Sequence, residues 1–144
     1  MKRRRWISDP LAHLKTITMS QPMEEIHDGL VDAHLKHWAE YERIKTGDGT
    51  VQDFDHLLRD MKLVAVLAYQ IDKSLGETIT AGIMAMARVK ARYLDTQRIA
   101  LDGPGISEVA NALEIMSEVI NKSTPRQIIA AAKMCDWDGR KTHV

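Results

Sequence analysis

Between Phe54 and Ile71 the apolar residues fall three and four apart, and over 63–68 (Leu-Val-Ala-Val-Leu-Ala) there is no charge at all. A helix with so broad an apolar face is covered on most sides, so the rest of the chain has to supply its cover. Phe54, Leu57, Leu58, Met61, Val64, Ala65 and Ala68 form its main stripe. Thr50 with Asp53 three residues later resembles the reciprocal cap that starts a helix.

The cover has the same period. Met23, Ile26, Leu30, Ala33, His37, Tyr41 and Ile44 lie on one stripe, with Glu24, Glu25, Asp28, Asp32, Lys36 and Glu40 mostly off it. Thr46-Gly47-Asp48-Gly49 ends that helix. Gly76 marks a further break, after which Ile79, Ile83, Met86, Ala87 and Leu94 share a stripe. Asp102-Gly103-Pro104-Gly105 is the strongest turn signal in the chain. Ile106, Val109, Ala110, Leu113, Met116 and Ile120 follow as another helix. Thr124-Pro125-Arg126-Gln127 combines a capping Thr, Pro at the first helical position and Gln at the third. Earlier, Asp9-Pro10 starts a short helix over 10–19, closed by Ser20-Gln21-Pro22. No segment alternates with period two, so no sheet is expected. The predicted fold is all-α, a compact bundle of five to six helices. Its plan is a basic arm over 1–9, one helical domain over 10–136 and a flexible tail over 137–144. Leu58, Met61, Ala65, Leu113 and Met116 are predicted to be nearly inaccessible.

A chain of 144 residues makes one ordinary domain. It buries roughly 68–70% of its unfolded surface and folds without a metal or disulfide. Cys135 is the single cysteine, which excludes an internal disulfide and fits a reducing, cytoplasmic setting. The start is too charged for a signal peptide, and no apolar run is long enough to span a membrane. Net charge is zero, but Lys2, Arg3, Arg4 and Arg5 stand together; subtracting these four cations leaves −4. The body is therefore a poor electrostatic footprint for nucleic acid. The arm, with Trp6 as a stacking ring, is the segment suited to phosphates. Arg88, Lys90, Arg92 and Arg98 suggest a second basic patch, which Asp95 interrupts. The helix after Thr124 offers only Arg126, Gln127 and Lys133 to a major groove.

Chemistry-bearing residues are sparse. His34 and His37, three apart, share a helix face and make, with His56 from the next helix, the weak candidates for metal ligation. The plainer expectation for His37 is a packed, hydrogen-bonded side chain beside the core. Neither a His-Glu-x-x-His run nor a Cys-x-x-Cys pair is present. Cys135 lies on an apolar face, where a thiol is inert. An acid–base pair needs partners from separate helices. No catalytic residue and no cofactor is expected, and the chain reads as non-enzymatic.

The basic start with Asp9-Pro10-Leu11-Ala12-His13, the His34-Leu35-Lys36-His37 helix, the turn and cap over 47–55, the central apolar helix and Gly103-Pro104-Gly105 together resemble a group of small uncharacterised proteins encoded in bacterial prophages and integrated elements. The resemblance covers residues 2–135. Some members carry a transcriptional-regulator label. It implies an accessory protein that binds and modulates a host or phage protein, and it brings no active-site residues. A second copy in a homodimer is predicted as well; nucleic acid held by the arm is an alternative, the plainer expectation for the arm being a solvated start. A metal-dependent enzyme on the His helix is the remaining alternative.

Overall fold

The structure, a computed structural model, describes residues 23–142, and side chains over 32–135. The arm with Lys2, Arg3, Arg4, Arg5 and Trp6, and the helix expected over 10–19, lie outside the described residues. Five helices follow in order: α1 Met23–Thr46, α2 Val51–Ile71, α3 Lys73–Thr96, α4 Gly103–Lys122 and α5 Pro125–Thr142. The fold is all-α, and no helix of the described chain is long and apolar enough to cross a membrane.

Four of the helix starts, those of α2 to α5, have a chemical cause among the described residues. Thr50 Oγ1 accepts from the Asp53 amide at 3.1 Å while Asp53 Oδ2 accepts from the Thr50 amide at 3.1 Å. The same reciprocal cap opens α5, where Gln127 Oε1 accepts from the Thr124 amide at 2.8 Å and Thr124 Oγ1 from the Gln127 amide at 3.2 Å. Asp102 caps α4 by accepting from the Gly105 amide at 2.6 Å, so Gly103 and Pro104 are its first helical residues. The end of the chain differs from the plan: α5 carries on through the start of the expected tail to Thr142.

The break placed at Gly76 is instead at Asp72. That residue closes α2 with its amide bonded to the Ala68 carbonyl, and opens α3 by accepting from the Ser74 amide at 2.8 Å. Gly76 is buried inside α3 against Tyr69, where a Cβ would stand 2.5 Å from the ring. It serves close approach of two helices, which a sequence scan for breakers does not distinguish from a turn.

α2 is the hub, packing against α1, α3, α4 and α5. Leu57, Met61, Val64 and Ala68 on it are fully buried, as are Ile79 and Met86 on α3 and Val109 and Leu113 on α4. Of the predicted inaccessible residues, Met61, Ala65, Leu113 and Met116 are buried. Leu58 is only partly covered, because it lies where the face of α2 turns toward solvent. Ala87 and Leu94, assigned to the core stripe of α3, face solvent. The loop after α3 is pinned to the end of α1, with the Leu101 amide donating to the Ile44 carbonyl at 3.3 Å. Tyr41 Oη donates to the Ile106 carbonyl at 3.0 Å and ties α1 to α4.

Candidate functional site

α1 and α2 run antiparallel across the turn at 47–50, so one turn forward along α1 corresponds to one turn back along α2. Three polar rungs result. His37 Nε2 meets Asp60 Oδ2 at 2.7 Å, His56 Nδ1 lies 3.3 Å from Glu40 Oε2, and Arg43 grips Asp53 with Nε–Oδ2 at 2.9 Å and Nη2–Oδ1 at 2.7 Å. The first two rungs are interior: His37 is 2% exposed, Glu40 1%, His56 6% and Asp60 3%. The third lies toward the open end, on a half-exposed Arg43. Glu40 was expected off the apolar stripe and is instead among the most buried residues of the protein. Ion pairing and a helix cap are combined at Asp53. The Arg43 guanidinium, then the Thr50 amide, hold its carboxyl below the usual carboxylate range.

Electrostatics divides the interior pairs. Burial, with Asp60 next, pushes the Glu40 carboxyl up to about 8. Burial, with the Lys36 cation next, pushes the His56 imidazole down. At neutral pH this rung is therefore a carboxylic acid beside an uncharged imidazole, because an isolated charge inside the bundle is costly. Glu40 Oε1 and His56 Nε2 are buried with no hydrogen-bond partner among the described residues. Sliding α1 by one turn on α2 would set Glu40 against Asp60, or His37 against His56, so the rungs favour the observed register.

The three metal candidates do not converge. His34 accepts from Trp38 Nε1 at 2.9 Å, His37 is bound to Asp60 and His56 faces Glu40. Among the described residues no group of three or more His, Cys, Asp or Glu is placed to hold a metal ion. His37 is the packed, hydrogen-bonded side chain that its position on the apolar stripe suggests. Cys135 is half-buried on α5.

The expected basic patch on α3 is mostly consumed within the chain. Arg88 donates to Asp102 at 2.8 Å and to Glu108 at 2.5 Å, and Arg92 to Asp102 at 3.1 Å and to the Ala100 carbonyl. Arg98 donates to the Thr46 carbonyl at 3.4 Å. Arg88, and then the Gly105 amide, lower the Asp102 carboxyl to about 2. These cations clamp α3 to α4 and the loop to α1, leaving Lys90 exposed with no ion pair or side-chain hydrogen bond among the described residues.

One strip of what α3 presents to solvent is apolar. Met84 is 57% exposed and Leu94 76%, with exposed Ala87 and Ala91 between them. Half-exposed Tyr69 of α2 joins the upper end of this strip, its hydroxyl 3.0 Å from Thr80 Oγ1. Neither the polar ladder nor this strip was picked out from the sequence. The ladder has a legible signal, since His37, Glu40 and Arg43 mirror Asp60, His56 and Asp53 about the turn. The strip has one too: 84, 87, 91 and 94 repeat at three and four, opposite the residues that pack inward. No known protein family, no curated protein and no solved structure matches this chain.

Proposed function

We propose that this protein is a non-enzymatic accessory protein that acts by protein–protein contact, with the exposed face of α3 as its contact surface. The carrying observation is the uninterrupted apolar strip of Met84, Ala87, Ala91 and Leu94, whose two large side chains are more than half exposed. Contiguous apolar surface on a helix is costly to leave in water and is what a partner covers. The strip also sits on a tethered helix, since Arg88 and Arg92, beside it, tie α3 to the start of α4. Each polar rung of α1 and α2 pairs a side chain of one helix with one of the other, and the two rungs that hold histidine are interior, which suits a scaffold better than a reaction centre. A phage or integrated-element setting, with a host or phage protein as target, rests on the resemblance of the sequence pattern alone.

The test is capture of partners from lysate of the source cell by the intact chain and by the Met84→Glu/Leu94→Glu variant. A protein retained by the first and lost by the second, with helical content equal in both, supports the reading. Equal capture by both, with self-association of the chain also unchanged, removes it.

A further inference from the structure

Resting on that reading of the α3 face, we infer that its occupant is a second copy of this chain, seated α3 to α3 in parallel about a two-fold axis. The strip has the phase of a two-stranded seam. Thr80, Met84, Ala87, Ala91 and Leu94 are separated by four, three, four and three residues, which keeps a helix face toward a partner helix over two heptads. Residues that pack into the bundle, Ala85, Met86 and Val89, occupy the opposite positions of the same repeat, so seam and core do not compete. Ala87 and Ala91 at the middle let two backbones approach closely, and Met84 and Leu94 close the ends.

The charges beside the seam choose the occupant and its direction. Lys90 and Asp95 flank the strip on opposite sides, five residues apart; both are exposed and neither has an ion pair among the described residues. In a parallel pair, the residue before one seam position lies beside the partner's residue five further on. A two-fold dimer therefore sets Lys90 against the partner subunit's Asp95, twice. An antiparallel pair would bring Lys90 against its own copy, which like charge disfavours. Arg88, on the Asp95 side of the strip, is held by Asp102 and Glu108. The surface is thus complementary to itself in shape and in charge, as an isologous interface must be.

Sedimentation velocity of the full chain from low to high micromolar concentration is expected to show a reversible dimer. Leu94→Glu should give one chain mass throughout with unchanged helical content. Lys90→Glu and Asp95→Lys should each weaken the dimer by about tenfold, since each replaces two attractive pairs with two repulsive ones, and the double variant should recover it. Oxidised Leu94→Cys in a Cys135→Ser background should link two copies through residue 94. One chain mass at every concentration, a dimer indifferent to Leu94→Glu, or a Leu94→Cys chain that links only to a Met84→Cys chain mixed with it, both in the Cys135→Ser background, would overturn the inference. A chain that stays monomeric yet loses a captured protein on Leu94→Glu refutes the second copy alone; loss of neither self-association nor capture refutes the contact surface as well.

Discussion

Glu40 is the residue whose burial is hardest to reconcile with its chemistry, and it gives the protein a pH dependence of definite sign. Its folded value of about 8 lies above its ordinary value of 4.5. Stability from this group is therefore fully present below 4.5 and is lost progressively until the pH passes the folded value. His56 acts oppositely: its depressed value adds stability at and above its ordinary 6.5 that is lost as pH falls. His34, lowered by burial and by His37, acts in the same sense as His56, and both imidazoles are uncharged in folded and unfolded chains only once the pH is well past 6.5, so a fall in stability from there toward about 8 belongs to Glu40. Urea unfolding of Glu40→Gln should show that slope abolished and the protein more stable than the parent at pH 8. A parent curve flat over this interval would mean Glu40 is charged inside the fold. Packing residues separate as clearly. Leu57 is fully buried and Leu58 only partly, so Leu57→Ala should cost ~2–5 kcal/mol and Leu58→Ala distinctly less, read from the same unfolding curves.

Elements meet at surfaces that admit little change. Gly82 on α3 faces Ala112 of α4, and a Cβ there would stand 2.7 Å from the Ala112 Cβ and 2.7 Å from Met61 Cε. Gly82→Ala should therefore destabilise by roughly 1–3 kcal/mol, although alanine is the better helix former by about 1 kcal/mol. A more stable variant in thermal unfolding would show that α3 and α4 part easily. Thr124→Ala removes the acceptor for the Gln127 amide and should cost ~1 kcal/mol, with loss of helical signal confined to α5. Helix starts were the most legible elements in the sequence, because a cap is a local interaction among four residues. Thr50/Asp53 and Thr124/Gln127 stand in the structure as reciprocal pairs. Gly76 was misread because a glycine that permits a close helix crossing and one that ends a helix are the same letter.

In the whole molecule, α2 holds the other helices together, and stability should be graded accordingly. Amide hydrogen exchange should be slowest over the buried middle of α2, around Leu57 to Leu67, since those amides open only when all four neighbours release them. Exchange at α5 should be faster, because α5 rests on the hub by a smaller contact. Equal protection throughout would show a bundle that opens as one unit.

Periodicity alone determined the helical class, the hub helix and most of the buried positions, because a 3.6-residue repeat states which side of each helix must leave water. It also placed His37 on an inward stripe. The tertiary structure decided the rest. Whether Glu40 and Asp60 are wet or buried depends on the angle at which α1 meets α2, and no pattern within one helix contains that angle. Whether Leu94 is core or surface depends on how many neighbours α3 has. Its apolar residues wrap around much of the helix, and packing against α2 and α4 covers only part of that circumference. The arginines of α3 are a patch in one dimension and a clamp in three, since Asp102 and Glu108 reach them only after the chain has folded back.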